Sequence, residues 1–359
     1  MSFVITFLAL SFVIVIHELG HLLAAKWADI GVYEFSIGMG PKVVGKKWGE
    51  TEYSIRLFPI GGSVKVAGMD DSTDDDLVFA KDRGAYQKKP LPRAIMLAAG
   101  SVFNIILGLI LFVLVYSGSG VRFPSTVISS VMPDTPAHTA GFLAGDDIVK
   151  VNNTVVHGRG DKVIGALQAA HTIPVTIEVN RSGNVKTFTV TPMNRNGKRI
   201  IGVSFDPGRG VTKLPPLTAI KYGLLATTAS VKSVFNSLKL IVLGHVKLNE
   251  MAGVVGIVQM ANEGYQSGVD IFLQFMATIS ISLGVFNLFP LPALDGGHLT
   301  FLLVEVLTGR PLNRKWEALI SNVGFALLMT LMVFILINDI RHWSERTHLI
   351  QETKVKQNP

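Results

Sequence analysis

An apolar run that begins at Phe3 and is long enough to cross a membrane contains three ionisable residues near its end, His17, Glu18 and His21. An ionisable side chain inside a membrane helix costs about 2.5 kcal/mol or more and is functional by default. The three residues match the pattern H-E-x-x-H. Residues four apart lie on one face of a helix, so two imidazoles can bind one Zn²⁺ while the glutamate contacts the water bound to it. The run therefore predicts a metal site within a membrane helix.

The composition indicates a membrane protein. Of the 359 residues, 48% are hydrophobic and 16% are charged, and the mean hydropathy is +0.42. About 20 apolar residues cross a hydrocarbon core of roughly 30 Å. Stretches of that length predict a polytopic α-helical protein with about four transmembrane helices, at residues 2–25, 92–117, 270–294 and 320–338. The first stretch lacks the basic segment and cleavage site of a signal peptide, so we expect it to be a mature helix.

The residue types present limit both the metal ligands and the partners. The chain has no cysteine, so disulfides and thiolate ligands are excluded and any metal must be bound by nitrogen and oxygen. The net charge is +7 and the isoelectric point is near 9.5. Because the basic residues are scattered instead of forming a stripe, we expect no nucleic acid partner. Basic cytoplasmic loops of a membrane protein account for the charge.

The distribution of Lys and Arg predicts which segments face the cytoplasm. Residues 26–93 carry eleven Lys and Arg, so the positive-inside rule places this segment in the cytoplasm and the N-terminus outside. Residues 121–207 have a soluble composition, with short alternating stretches separated by Gly, Pro and Asn. They predict a small β-rich domain on the outer side. The basic residues after the third crossing agree with this topology, whereas those of the C-terminal tail do not.

A further apolar stretch, from Leu217 to about Leu243, predicts a helix on the membrane surface. Its residues Lys221, Lys232 and Lys239 fall on one side of a helix, which is typical of an interfacial helix. The predicted organisation has five parts: a first membrane part at 1–120, the inserted domain at 121–207, an interfacial helical region at 208–269, a second membrane part at 270–340 and a tail at 341–359.

A third metal ligand is expected from another segment at the depth of the histidine pair. His17 lies about 22 Å along the first helix from its outer end, so the site is inside the bilayer and nearer the cytoplasm. In the stretch FNLFPLPALDGGH, Pro290 and Pro292 end the third crossing and leave Asp295 at its inner end. Catalytic zinc has three protein ligands and an open position for water, and Asp295 can be the third. The alternative is an aspartate that caps a helix in an interfacial loop.

Taken together, the motifs resemble the site-2 protease family of intramembrane zinc metalloproteases, most closely the bacterial regulator-of-sigma-E proteases. The resemblance rests on HELGH in the first helix, AAGSVFN in the second, VFNLFPLPALDGGH near the third and an intervening PDZ-like domain. It covers nearly the whole chain, including FSIGMGPK, EYSIRLFPIGGSVKVAG and MAGVVGI. The Pro-rich motif is far more specific than H-E-x-x-H alone.

The resemblance implies a role for each candidate residue. The implied zinc ligands are His17, His21 and Asp295. Glu18 is the implied general base, and Asn287 and Asn104 are implied to place the substrate near the zinc. For Asn104 the alternative is a close-packed, hydrogen-bonded helix interface together with Gly100.

Two further segments are expected to handle the substrate, which must be held extended because a helix hides its carbonyls in internal hydrogen bonds. EYSIRLF and SVKVAG predict a β-hairpin whose edge accepts the substrate backbone. Alternatively, the hairpin packs against helix ends and contacts no substrate. The PDZ-like domain is expected to contact chain ends and admit only substrates without an outer domain. The alternative is an interaction module unrelated to gating.

The resemblance implies an enzyme of the bacterial inner membrane, embedded in lipid, that cleaves a spanning segment of a single-pass protein. An anti-sigma factor or a remnant signal peptide is the implied substrate. One alternative is a catalytically silent scaffold, against which the intact Glu18 and ligand set argue. Another is a metal carrier, which one ligand cluster without repeated polar helices does not favour. The acidic run DDSTDDD lacks EF-hand spacing and predicts a solvated loop.

Overall fold

The computed structural model describes residues 2–69, 82–156, 158–170, 174–195, 198–206, 211–245 and 253–341. The acidic run at 70–76 and nearly all of the predicted tail lie outside these residues, as do the first two residues of MAGVVGI. The chain divides into two compact units. One comprises residues 1–115 with 217–359, and the other is the insert at 116–216.

Helices form most of the larger unit. Their bounds are α1 Ser2–Trp27, α2 Pro90–Gly118, α5 Pro216–Val242, α6 Val254–Ser267, α7 Val269–Asn287, α8 Asp295–Thr308 and α9 Arg314–Arg341, while α3 Pro136–Ala140 and α4 Gly160–Ala169 belong to the insert. Over the described residues, four helices are long and apolar enough to cross a membrane, namely α1, α2, α7 and α9. These four coincide with the four predicted crossings, which supports a polytopic membrane protein.

Small residues let α1, α2 and α7 approach closely. A Cβ atom on Gly20 of α1 would lie 2.6 Å from the carbonyl oxygen of Ala99 in α2. A Cβ on Gly284 of α7 would lie 2.6 Å from the carbonyl oxygen of Ser101. Glycine at these positions allows backbone-to-backbone contact, as is common between membrane helices. The three helices therefore form a tight group around the polar residues of α1.

Between α1 and α2 lies a bent antiparallel sheet of β1 (Val32–Trp48) and β2 (Thr51–Val66). Residues 32–37 pair with 62–66 on one side and with 52–55 on the other, and residues 42–48 fold back onto 51–56. The bend in β1 falls at Gly38 and Gly40, whose φ angles are +88° and +86°. The strand segments therefore lie in the order 42–48, 51–56, 32–37, 62–66, with 62–66 at an edge.

This pairing corrects the predicted hairpin. The segments EYSIRLF and SVKVAG do not pair with each other, because residues 32–37 lie between them. The prediction paired these two strands because only a short turn separates them in the sequence. It overlooked the stretch VYEFSI, which lies between them as one of the two inner strand segments.

The sheet exposes many large apolar side chains. Its exposed large apolar side chains are Ile37, Met39, Val43, Val44, Trp48, Ile55, Leu57 and Phe58. Ser11, within the membrane part of α1, donates a hydrogen bond to the carbonyl oxygen of Pro59 at the turn between residues 51–56 and 62–66. Contiguous apolar surface of this kind marks contact with a membrane or a partner. The sheet thus lies against the membrane portion of α1.

Helix α5 runs along the bundle. A Cβ on Gly223 would lie 2.8 Å from Val113 near the end of α2, and the ring of Phe235 lies 5.4 Å from that of Phe289 just after α7. Because α2 and α7 are antiparallel, these contacts are about 20 Å apart along the bundle. The three lysines of the stripe are exposed. The placement of α5 on the membrane surface stays a prediction.

The insert has its own apolar core. Its strands are β3 Val121–Arg122, β4 Ile128–Val131, β5 Asp147–Val151, β6 Thr154–Val155, β7 Val175–Arg181, β8 Asn184–Val190, β9 Met193–Arg195, β10 Lys198–Ile200, β11 Val203–Phe205 and β12 Val211–Thr212. Four of them form a sheet in the order β6-β5-β7-β8, and β4 pairs with β11. The ends of the insert meet, since β3 pairs with β12 and the Leu214 N–H donates to the Tyr116 carbonyl at 3.0 Å. The insert can therefore be removed by joining two adjacent points of the chain.

Candidate metal centre

His17 and His21 lie one turn apart on α1 and present the same ring nitrogen to one point. Their Nε2 atoms are 3.2 Å apart, and the rings are nearly perpendicular, at 82° with centroids 4.8 Å apart. His17 is 6% exposed. The α-helical spacing of four residues produces this arrangement, as the H-E-x-x-H pattern predicts.

Asp295, the first residue of α8, completes the cluster. Its Oδ2 atom lies 3.1 Å from Nε2 of His17 and 3.3 Å from Nε2 of His21. The next two residues, Gly296 and Gly297, let the start of α8 pack directly on the backbone of the preceding loop. A Cβ atom would lie 2.1 Å from a carbonyl oxygen of that loop on Gly296 and 2.5 Å from another on Gly297. The sequence LDGG thus fixes where the carboxylate points.

The three ligand atoms fit a tetrahedral zinc ion. Bonds of about 2.0–2.1 Å give a tetrahedron edge of roughly 3.3 Å, and the observed separations are 3.1, 3.2 and 3.3 Å. The Oδ2 atom of Asp295 is buried and accepts no well-directed hydrogen bond. Its neighbours are therefore aligned as co-ligands and not as hydrogen-bond donors. Within the described residues this is the one group of three or more His, Asp and Glu that could hold a metal.

Groups on α2 orient both imidazoles. Nδ1 of His21 lies 2.8 Å from the carbonyl oxygen of Met96, so this nitrogen donates and Nε2 is left with its lone pair. Nδ1 of His17 lies 3.4 Å from the side-chain nitrogen of Asn104. The amide oxygen of Asn104 is buried without a partner. Rotating the amide by half a turn lets this oxygen accept the Nδ1–H of His17 and satisfies both groups.

Asn104 itself is placed behind His17. It has no exposed surface, and its backbone carbonyl oxygen accepts a hydrogen bond from the Ser280 hydroxyl of α7 at 2.8 Å. A residue in this position contacts a metal ligand and a neighbouring helix, whereas direct contact with a substrate would require exposed surface. Gly100, one turn earlier, leaves space for the ligands, because a Cβ there would lie 2.4 Å from Nε2 of His21.

Glu18 and Asn287 lie at the open side of the cluster. The carboxylate of Glu18 accepts a hydrogen bond from the Val64 backbone N–H, which brings the edge strand 62–66 beside it. The side-chain nitrogen of Asn287, the last residue of α7, lies 3.2 Å from Nε2 of His17, and Asn287 is partly exposed. The structure thus brings together all six predicted site residues. Glu18, His21, Asn287 and Asp295 are partly exposed, whereas His17 and Asn104 are buried.

A cavity of about 210 Å³ opens onto the cluster. It is lined by His17, Glu18, His21, Val64, Val66, Met69, Met96, Leu97, Ala293, Leu294, Asp295 and His298. The edge strand forms one wall and the start of α8 forms another. His298 was not predicted from the sequence as a site residue, although its position three residues after Asp295 on a helix is a signal that both side chains share a face.

Two histidines and an aspartate arranged to hold zinc, with a glutamate beside them on an apolar helix, are typical of a membrane metalloprotease. The model of Peptidase family M50 matches residues 5–331. Zinc metalloprotease RasP of Geobacillus kaustophilus is 31% identical and regulator of sigma-W protease RasP of Bacillus subtilis is 30% identical, each over 95% of this chain and 97% of the relative. The Clostridium perfringens protein CPE1693 is 38% identical over 95% of this chain and 98% of its own length.

The chain therefore belongs to Peptidase family M50, the site-2 protease family, and is a bacterial membrane zinc metalloprotease. Among solved structures, the PDZ domain of an SdrC-like protein from Listeria monocytogenes overlaps 24% of this chain and 90% of that domain, with 18% identity and a TM-score of 0.21. The PDZ assignment of residues 121–207 stays a prediction.

If Asn104 orients His17, replacing it will weaken zinc binding. We expect Asn104→Leu to lower zinc affinity by about 10- to 100-fold, as for other groups that hold a metal-bound imidazole. Asn104→Asp keeps an oxygen acceptor and should lose much less. A competition titration against a chelator in detergent measures both. Wild-type zinc affinity in Asn104→Leu, combined with lost cleavage, would instead favour a role in placing the substrate.

Proposed function

We propose that this metalloprotease hydrolyses a peptide bond within a membrane-spanning segment of a single-pass protein. The observation that carries the proposal is the set of three converging ligand atoms beside Glu18, on a helix apolar enough to span a bilayer. In the proposal the zinc ligands are His17, His21 and Asp295. Bound zinc supplies an activated water and a Lewis acid for the scissile carbonyl.

Glu18 is the general base in this proposal. Its carboxylate lines the cavity one residue from a ligand, so it can accept a proton from the attacking water and pass it to the leaving nitrogen. Asn287 is the donor for the carbonyl oxygen. Its amide nitrogen lies within 3.2 Å of a ligand atom and is partly exposed. A fixed donor at this position stabilises the negative charge that develops on the oxygen.

The edge strand 62–66 is proposed to hold the substrate extended. The Val64 N–H points away from the sheet, towards Glu18, and Val64 and Val66 line the cavity. An extended segment laid along this edge would exchange backbone hydrogen bonds with it in the manner of strand addition. The alternative, a sheet that only packs on helix ends, does not require an edge beside the general base.

The insert is proposed to be a PDZ-like domain on the outer side that contacts chain ends and filters substrates. The excess of Lys and Arg in residues 26–93 supports this sidedness, with the N-terminus outside the cytoplasmic membrane. The RasP relative from Bacillus subtilis is named a regulator of sigma-W protease. That name supports substrates such as an anti-sigma factor, with a remnant signal peptide as another single-pass candidate.

The first test compares wild type, Glu18→Gln and Glu178→Gln, a control carboxylate of the insert. We expect each purified protein to hold about one zinc, and Glu18→Gln to cleave a single-pass substrate in detergent at least about 100-fold more slowly. Glu178→Gln should cleave normally. An active Glu18→Gln would remove Glu18 from the mechanism. Zinc-loaded wild type that cleaves none of several substrates would favour the scaffold, and zinc flux without proteolysis would favour the carrier.

The second test removes one backbone donor. Val64→Pro deletes the N–H on the open edge, while Val64→Ala keeps that N–H and shortens the same side chain. We expect about a 10-fold or greater loss of kcat/KM in Val64→Pro and a smaller loss in Val64→Ala. Only Val64→Pro removes a backbone hydrogen bond from the edge and changes the local backbone. Equal cleavage by the two folded, zinc-bound variants would argue against strand addition.

The third test removes the insert. Because its ends are paired, Gly120 can be joined to Lys213 through a short Gly-Ser linker, which deletes Val121 to Thr212. We expect the shortened protein to keep its zinc and to cleave full-length single-pass proteins that still carry an outer domain, which wild type rejects. Continued rejection of such substrates by the shortened protein would refute the filter.

A further inference from the structure

His298 is a polar side chain of the zinc cavity with no part in the mechanism described so far. It lies one turn after Asp295 on α8 and lines the same cavity as Val64 and Val66 of the edge strand. Its Nδ1 atom lies 3.4 Å from Oε1 of Glu317 at the start of α9. The same carboxylate oxygen accepts a hydrogen bond from the Tyr86 hydroxyl at 2.9 Å.

These contacts determine which imidazole nitrogen is free. Burial, followed by the charge of Glu317 and the hydrogen bond to it, raises the pKa of Tyr86, so the hydroxyl keeps its proton and donates. Glu317 is buried and accepts from both neighbours. Nδ1 of His298 is therefore the donor to Glu317, and in the neutral imidazole Nε2 carries the lone pair.

An extended substrate has a second edge that needs partners. If one edge pairs with residues 62–66, the backbone groups of the other edge face the wall formed by α8. Backbone polar groups without partners cost several kcal/mol in a membrane. On this wall Ala293 and Leu294 are apolar and Asp295 is directed at the metal position. His298 is then the side-chain acceptor that this wall offers.

We infer that Nε2 of His298 accepts a hydrogen bond from a backbone N–H of the extended substrate, on the edge opposite Val64. Glu317 acts through His298 as a positioning residue, and Tyr86 holds Glu317. The inference rests on the proposed function, because it requires an extended substrate in the zinc cavity. It adds the second wall of the substrate site, which recognises the main chain.

The test is an amide-to-ester scan of one substrate. The probe is a synthetic Lys-flanked Leu/Ala transmembrane peptide with a central Asn-Gly pair, in which single backbone N–H groups around the cut bond are replaced by ester oxygen. One of these N–H groups is expected to face His298 instead of the edge strand at Val64. In wild type we expect its replacement by ester oxygen to raise KM by about 3- to 10-fold, which corresponds to the loss of one hydrogen bond. In His298→Phe, which lacks an acceptor, that ester should have no effect while the other esters keep theirs.

Matched variants separate this role from a structural one. His298→Gln retains an acceptor and should restore part of the ester effect, while Glu317→Leu should raise KM and abolish the same ester effect with kcat little changed. His138→Phe, an exposed histidine of the insert, should behave as wild type. Zinc content, measured on every sample, should not change.

The failures are distinguishable. Cleavage with the same ester profile in wild type, His298→Phe and His298→Gln overturns the inference and leaves the proposed function standing. Zinc-loaded wild type that does not cleave the unmodified probe or any other single-pass peptide overturns the proposed function, and the inference with it.

Discussion

The site depends on the close approach of α2 to the turn of α1 that carries the histidines. Three residues of α2 at successive four-residue intervals face this turn. Met96 supplies a carbonyl to His21, Gly100 supplies the gap that the rings fill, and Asn104 lies against His17. A helix repeats its faces at this spacing, so one stripe of α2 holds both imidazoles in place. Without that stripe the two rings would keep their rotamer freedom, and the ligand atoms would not converge.

The membrane raises the importance of every such contact. In a low-dielectric surrounding, an unpaired polar group is expensive and a satisfied one is rigid. The ligand atoms of α1 and α8 therefore favour a cation among them, and groups of α2 lie against the outer nitrogen of each imidazole. The polar residues come from α1, from the start of α8 and from the end of α7, and the edge of the sheet lies beside them. A metal site on a single helix could not provide both the ligands and a wall for an extended chain.

The sequence was sufficient for the local features and insufficient for the long-range ones. Apolar length predicted the four spanning helices, and the spacing of His17 and His21 predicted their shared face, because both signals lie within one helix. The placement of residues 32–37 between two other strands could not be read, since short turns favour pairing of sequence neighbours. The direction of α5 and the burial of Asn104 depend on packing against α2 and α7, which no local pattern encodes.

Main-chain recognition on both walls has a consequence for specificity in the proposed mechanism. Strand pairing along residues 62–66 and an acceptor at His298 contact groups that every peptide shares, so they discriminate poorly between side chains. They favour instead a segment that gives up its helical hydrogen bonds at low cost, such as one with Gly, Asn or Pro near the cut bond. Selection among different membrane proteins must then come from elsewhere in the chain. The insert, which has its own core and whose two ends are paired through β3 and β12, is the element free to supply it.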